Sequence, residues 1–155
     1  MIRPDGQRMT DLLRDVRVHL FREAANTTRI PQPPEIARAL GRPEAEIRDA
    51  LGQLAAQRVL VLAPNSGNIW IAAPFCAVPS PFRVQAAGKV YYGICVWDAL
   101  GILAVLESDG VIRTACPDCS EPLQLEVSGG RLSRSEGLIH FGVPARHWWD
   151  NIGFT

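Results

Sequence analysis

Apolar residues recur at helical spacing through the first third of the chain. In TDLLRDVRVHLFREAAN they fall three or four positions apart, and Thr10 is a candidate N-cap. PPEIARALG predicts a short second helix, because Pro34 suits a first helical turn and Gly41 suits a C-terminal stop. RPEAEIRDALGQLAAQRV restores the spacing through Ile47 and Leu51. Three helices are therefore predicted before the strand-like segment LVLAP.

Two strand-like runs follow these helices. LVLAP and IWIAAP flank the turn NSGN, which predicts a β-hairpin. Three helices and a hairpin are the element order of a winged helix. Binding to DNA would require a positive third helix, because phosphate neutralisation supplies most of the affinity. The charges near that helix are balanced, with Arg42, Arg48 and Arg58 opposed by Glu44, Glu46 and Asp49. We therefore favour a structural or docking role for this unit over binding to DNA.

The pattern changes at CAVPSPF, where two prolines and a serine predict a boundary near residue 76. Residues 1–75 would form the winged-helix-like domain and residues 76–155 a second domain. FRVQAAGKVYYG predicts two strands about a turn at Ala86 to Gly88, and ICVWDALGILAVLE predicts a buried helix. GVIRTA, the turn CPDCSEP, the strand LQLEV, the turn SGG and the apolar run LIHFGVP follow, and Pro144 suits the start of a last helix. The predicted fold class is α+β, with antiparallel strands around a central helix in the second domain.

Composition narrows the class of protein. The 155 residues contain 16 basic and 16 acidic side chains, so no charged partner is implied. The N-terminus lacks the apolar core of a signal peptide, and no run approaches the roughly 20 apolar residues of a membrane span, so we expect a cytoplasmic protein with no membrane partner. The four cysteines are expected to be free thiols, metal ligands or catalytic groups and not a disulfide framework. They are Cys76, Cys95, Cys116 and Cys119.

A cysteine and an aspartate lie three residues apart in the apolar segment YYGICVWDALG, as Cys95 and Asp98. On a helix, positions three apart share one face, so both side chains are predicted to project toward the same space. Near a helix start, the unpaired N–H groups and the dipole would also favour a thiolate at Cys95. Such a pair offers one bound atom a soft nucleophile and a proton source. The alternative interpretation is a small buried cysteine beside a surface acid.

The turn CPDC carries the other close pair of thiols, Cys116 and Cys119. Two thiolates at this spacing can clasp one tetrahedral metal ion, but a closed zinc site needs four ligands. The remaining ligands would come from Cys76, Cys95, His140 and His147. A turn with incidental thiols and a site that handles soft metals are the other two interpretations.

The two histidines near the C-terminus favour structural interpretations. His140 lies in the apolar segment LIHFGV, which is typical of a buried core histidine. His147 stands beside Trp148 and Trp149 and is predicted to join an aromatic packing cluster. The turn SGG lacks the lysine and the following helix of a phosphate-binding loop.

The order of these motifs resembles the organomercurial lyases, also called alkylmercury lyases. The matching features are the N-terminal helical unit, FRV, KVYYGICVWDAL, TACPDCSEPLQLEV, an IHF strand and WWDNIGF. In that family, two cysteine thiolates capture the mercury of an R–Hg species and an aspartate protonates the departing carbon. The resemblance implies that Cys95 is the first catalytic thiolate, that Asp98 carries the proton, and that Cys116 matches a family cysteine of more structural character.

The resemblance also implies groups outside this pair. The second catalytic cysteine of the family is expected just after the segment NIGFT, which ends at Thr155. Three interpretations are open: the sequence is a truncated form of a longer protein, Cys116 or Cys119 takes the place of that cysteine, or the protein has kept the fold and lost the lyase reaction. An external thiol would release the product, a mercuric reductase would receive it, and no other cofactor is required. The candidate metal-binding residues are Cys95, Asp98, Cys116 and Cys119.

The resulting hypothesis is an organomercurial lyase homologue that cleaves carbon–mercury bonds by protonolysis, or at least binds a soft metal at Cys95 and Asp98. One alternative is a winged-helix regulator that senses a soft metal through Cys95, Cys116 and Cys119. Another is an interaction module stabilised by zinc and without catalysis.

Overall fold

The chain divides into two compact units between Val78 and Pro79. The structure is a computed structural model and describes residues 5–133 and 138–153. The sequence places the boundary near residue 76, and the assignment of the two halves to domains stays a prediction. Within the described ranges, no helix combines the length and the apolar character that a bilayer span requires.

Three helices form most of the first unit, as their apolar spacing predicts. α1 spans Asp5–Thr27, α2 spans Pro33–Leu40 and α3 spans Glu44–Ala56. Their inward faces supply the core of this unit. The fully buried side chains on these helices include Val16, Leu20, Ile36, Ile47, Ala50 and Leu51.

The helix ends match the sequence in one case and differ in another. Pro33 and Pro34 open α2, and Gly41 ends it in the left-handed conformation with φ of 62°, as predicted. Thr10 is not an N-cap, because α1 begins upstream of it. Its hydroxyl donates to the carbonyl of Gly6 at 2.9 Å, which is the usual bond of a threonine inside a helix.

The predicted hairpin is confirmed, and a third strand extends it. β1 (Val61–Leu62), β2 (Ile69–Ala72) and β3 (Phe75–Cys76) form an antiparallel sheet in that order. Gln32, at the start of α2, ties the sheet to the helices. Its side-chain oxygen accepts from the Ile69 N–H at 2.9 Å, and its amide donates to the Ile69 carbonyl at 3.2 Å. The winged-helix class of this unit stays a prediction.

Charges on α3 are paired along the helix. Arg48 contacts Glu44 at 2.7 Å, and Arg42, just before the helix, contacts Glu46 at 3.8 Å. These contacts agree with the expectation that α3 does not present a purely positive face to a phosphate backbone.

The second unit is a five-stranded antiparallel sheet with one helix packed on it. β4 (Phe82–Ala86), β5 (Lys89–Gly93), β6 (Gly110–Ala115), β7 (Pro122–Ser128) and β8 (Arg131–Leu132) lie in the order β5-β4-β6-β7-β8. The predicted turn between β4 and β5 consists of Ala87 and Gly88, both at positive φ, as two-residue hairpin turns require. A mixed fold of helices and antiparallel strands is therefore confirmed.

The helix of this unit, α4 (Val96–Val105), lies against β4, β5 and β6. Ala99, Ile102 and Leu103 are its buried residues, whereas Trp97 and Val105 are exposed. The prediction of a buried helix with strands around it is therefore wrong. The sheet covers one face of α4, and the opposite face of this apolar helix remains exposed.

The segment after β8 differs most from the sequence prediction. Ile139, His140 and Phe141 lie in no strand, and the last helix is a 3₁₀ helix, Ala145–Asp150, that starts after Pro144. The apolar run is folded onto this helix, because the Phe141 ring packs on the Trp148 ring with centroids 4.7 Å apart. The segment NIGFT, which the sequence matches to the family, ends with Phe154 and Thr155, and these two residues lie outside the described range.

Candidate thiol and carboxylate site

Gly93 lets the end of β5 approach the first turn of α4. A Cβ atom at Gly93 would lie 2.8 Å from the Ala99 nitrogen and 3.2 Å from the Asp98 carbonyl carbon. The Gly93 carbonyl also accepts a hydrogen bond from the Ser80 hydroxyl. Neither Gly93 nor Ser80 was predicted from the sequence to belong to the site. A glycine between a strand run and a cysteine was the available signal, since glycine often marks a close backbone approach.

Cys95 is the N-cap of α4 and does not lie inside the helix. Its carbonyl accepts from the Ala99 N–H at 3.0 Å, and its Sγ accepts from the Asp98 N–H at 3.5 Å. Cys95 Sγ lies 3.4 Å from Asp98 Oδ2, and both side chains are half-buried. The structure therefore brings the two side chains together, but through a cap and not through a shared helix face.

The contact between the Cys95 sulfur and the Asp98 N–H is one half of a capping box. In that motif the N-cap side chain accepts from the third helical N–H, and the side chain of the third residue returns to the N-cap N–H. Asp98 is the third residue of α4, and the backbone N–H of Cys95 lowers the pKa of its carboxyl by hydrogen bonding. The pair thus has a structural role at the helix start in addition to any chemical one.

The thiol of Cys95 is held in its protonated form. Burial raises its pKa to about 11, and the negative charge of Asp98 and the hydrogen bond to its carboxylate act in the same direction. The backbone N–H groups of Asp98 and Trp97 lower this pKa, as expected at a helix start, but burial outweighs them. The helix start therefore favours the thiolate at Cys95, as expected, but burial has the larger effect and keeps the resting thiol protonated.

Burial also raises the pKa of the Asp98 carboxyl, whereas its hydrogen bonds with Cys95 and Ile94 oppose that change. The pair is a protonated sulfur donor within hydrogen-bond reach of a carboxylate that holds a proton more readily than usual. Such an arrangement can pass a proton from sulfur to oxygen when the sulfur gains another partner.

The other thiol pair lies in the turn between β6 and β7. Cys116 is partly exposed and Cys119 is exposed. The backbone N–H groups of Cys119 and Asp118, and the Cys119 side chain, hydrogen-bond to the Cys116 sulfur and lower the pKa of that thiol. Cys76 is buried in β3 and belongs to the other unit.

The histidines do not occupy the predicted environments. His140 is exposed, so the core interpretation is wrong, because residues 138–141 are not covered by a sheet. His147 is exposed and lies outside the aromatic contact. Its Nδ1 lies 2.9 Å from Asp150 Oδ2, and Arg146 donates to its Nε2 at 3.0 Å.

Across the described ranges, 5–133 and 138–153, no three histidine, cysteine or acidic side chains gather closely enough to hold a metal ion. The four ligands of a closed zinc site are therefore not assembled there. The structure provides pairs of candidate ligands, which is an arrangement open to soft ions that accept two thiolates.

In this antiparallel α+β unit, a thiol forms the N-cap of a helix and lies beside a half-buried carboxyl group. The arrangement defines a candidate site for chemistry with thiophilic metals. A family model for alkylmercury lyase (MerB) matches residues 75–155, which is more than half of the chain. The chain belongs to the alkylmercury lyase family.

Structural similarity agrees at the level of the fold. A crystal structure described as the mercury-bound form of MerB2 superposes with a TM-score of 0.62 at 17% sequence identity. The similarity covers 80% of this chain and 59% of the other, so the chain spans less than two thirds of the length of that protein. No curated protein is similar enough to this chain to count as a match.

Proposed function

We propose that this protein cleaves carbon–mercury bonds by protonolysis, with Cys95 as the mercury ligand and Asp98 as the proton carrier. The observation that carries the proposal is the 3.4 Å separation of Cys95 Sγ and Asp98 Oδ2 at the start of α4. A chain of the alkylmercury lyase family requires a soft ligand and a positioned acid within reach of one bound atom, and this pair supplies both.

The first step is exchange of a proton for mercury at sulfur. The Cys95 thiol bonds to the mercury of an R–Hg⁺ species and gives its proton to the Asp98 carboxylate. Mercury is soft and thiolates select soft ions, so its binding can displace a proton that the raised pKa would otherwise retain.

The second step returns that proton to carbon. The Asp98 carboxylic acid protonates the carbon attached to mercury, and the electron pair of the carbon–mercury bond forms the new carbon–hydrogen bond. The products are R–H and Hg(II) on Cys95, and Asp98 is again a carboxylate. The raised pKa of Asp98 suits the intermediate in which it holds the proton. An external thiol then removes Hg(II) from Cys95.

The test is hydrocarbon release from phenylmercury or methylmercury in the presence of excess thiol, measured by gas chromatography. We expect the wild-type protein to release benzene or methane. The proposal would be rejected if no hydrocarbon appeared while an established lyase released it in a parallel reaction.

Two substitutions separate the proposed roles from the capping role. Cys95→Ser keeps a good N-cap oxygen and removes the sulfur, so it should lose hydrocarbon release and any mercury bound at position 95, while the other thiols of the chain remain. Asp98→Asn keeps the backbone N–H of the cap, so it should still capture mercury at Cys95 but release hydrocarbon at least about 100-fold more slowly. Equal turnover by Asp98→Asn and wild type would contradict a proton-carrying role for Asp98.

A further inference from the structure

The turn between β6 and β7 is a closed and well-defined unit. The Cys116 N–H donates to the Glu121 carbonyl at 2.9 Å, and the Ser120 N–H donates to the Cys116 carbonyl at 2.8 Å. Ser120 takes a φ of 61°, which reverses the chain toward β7. The strands are paired up to the turn, where Ala115 faces Pro122. The backbone that carries both thiols is therefore closed by two hydrogen bonds at the end of a paired hairpin.

The two thiols of this turn are separated by two residues, and both are accessible. Two thiolates at this spacing in one turn can bind a single metal ion. Cys119 is exposed and Cys116 is partly exposed, so a dissolved ion can reach both.

Sheet topology places this turn at the same end of the sheet as Cys95. β4 lies between β5 and β6 and is antiparallel to both. Phe82 pairs with Gly93 on β5, and the next residue, Arg83, pairs with Arg113 on β6. Cys95 and Cys116 each follow these strand ends within a few residues. Two inter-strand spacings separate β5 from β6, or roughly 10 Å.

The number of ligands limits which ions suit the pair. In the described residues no third histidine, cysteine or acid joins Cys116 and Cys119. Zinc prefers four ligands in structural sites, whereas soft ions are selected by thiolates themselves. We propose that Cys116 and Cys119 form a two-thiolate binding site for a soft, thiophilic cation, separate from Cys95 and Asp98.

Binding at this pair exchanges protons for metal. Each thiol loses its proton to the buffer, and two sulfur–metal bonds form. No carbon–mercury bond is cleaved, so binding of inorganic Hg²⁺ at this turn does not depend on the lyase reaction proposed for Cys95. The two proposals can therefore fail separately.

The test uses the full chain with Cys95→Ser as background and mercuric chloride as the probe. Hg²⁺ retained by the protein is measured by elemental analysis after equilibration with a monothiol competitor such as glutathione. We expect about one Hg²⁺ per chain, and we expect loss of either turn cysteine, by Cys116→Ser or Cys119→Ser, to weaken binding about 100-fold, because the second sulfur then no longer binds intramolecularly. Cys76→Ala in the same background is the matched control and should bind as the background does.

Three results would overturn the proposal. The first is unchanged retention after either turn cysteine is replaced, and the second is loss of Hg²⁺ on replacing Cys76. The third comes from a parallel titration with Zn²⁺. A site with two ligands should release zinc to a chelator, so retention of zinc in the presence of the chelator would show that the site has more than two ligands. Circular dichroism of each variant shows whether the fold is retained, and the exposed Cys119→Ser variant keeps the test decisive if Cys116→Ser does not fold.

Discussion

At the scale of single residues, the atoms of Cys95 and Asp98 that cap the helix are also the atoms to which we assign the proposed chemistry. The sulfur caps the Asp98 N–H at 3.5 Å and lies 3.4 Å from the Asp98 carboxylate. Serine or threonine at the N-cap would satisfy the helix as well. Only cysteine adds a ligand for soft metals, so the choice of residue points to chemistry beyond capping.

Asp98 should control the acidity of the Cys95 thiol. In Asp98→Asn, the negative charge and the carboxylate acceptor that raise the Cys95 pKa are removed, whereas the Asp98 backbone N–H that lowers it remains. We expect Cys95 to react with iodoacetamide roughly 3- to 10-fold faster near pH 8, a factor that corresponds to a fall of about one pKa unit or less. Peptide mapping by mass spectrometry follows Cys95 separately from the other thiols.

Asp49→Asn is a suitable control for this measurement, because it makes the same change at an exposed position on α3. It should leave the rate at Cys95 unchanged. An unchanged or slower reaction in Asp98→Asn would show that the carboxylate does not help to hold the proton on sulfur.

At the scale of secondary-structure elements, the junction of β5 and α4 positions the site. β5 ends at Gly93, two residues later Cys95 caps the helix, and Ala99 on the buried face of α4 packs behind it. A tight junction of this kind leaves no room for a side chain at Gly93, so the approach of strand and helix depends on that glycine.

Gly93→Ala should destabilise the protein by about 1–3 kcal/mol, because the new methyl group would meet backbone atoms that cannot rotate away. Gly52→Ala on α3 is the matched control. A Cβ there meets nothing within 4 Å, so alanine should stabilise the helix by about 1 kcal/mol. Urea denaturation measures both free energies of unfolding, and a Gly93→Ala variant as stable as wild type would contradict the close approach.

At the scale of the whole molecule, the ionisation of the site is linked to folding stability. The folded protein keeps the Cys95 proton up to a pKa of about 11, whereas an ordinary cysteine thiol titrates near 9.0. A group whose pKa is raised on folding contributes stability that is complete below its unfolded pKa and is lost as the pH rises through the folded one. Stability from the neutral thiol should therefore decline between about pH 9 and pH 11.

The melting temperature of wild type should fall more steeply over this interval than that of Cys95→Ser, whose hydroxyl does not titrate there. The full change in pKa would correspond to about 2.7 kcal/mol, and partial exposure of the site reduces this to about 1 kcal/mol. Tyr91, whose pKa burial also raises, is present in both proteins, so the difference between the two curves isolates Cys95. Parallel curves from about pH 8 to pH 11 would contradict a buried neutral thiol.

Features set by neighbouring residues were predictable from the sequence. The apolar spacing of α1 to α3, the left-handed Gly41, the Ala87–Gly88 turn and the proximity of Cys95 and Asp98 all depend on residues within a few positions of one another. Periodicity and turn chemistry act over such distances, so these features can be predicted without knowledge of the fold. Membership of the alkylmercury lyase family also followed from the order of motifs.

Other features depend on residues distant in the sequence, and the tertiary structure decided them. The helix start alone favours a thiolate at Cys95, but burial in the packed unit reverses the direction of the pKa change. The apolar character of residues 138–141 suggested a strand and a core histidine. In the structure this segment forms no strand, His140 is exposed, and Phe141 packs on Trp148 of the 3₁₀ helix. The thiol turns after β5 and β6 share one end of the sheet only because β4 pairs between the two strands. Spacing along the chain determined which groups stand in pairs, whereas burial and strand pairing determined their charge state and their neighbours.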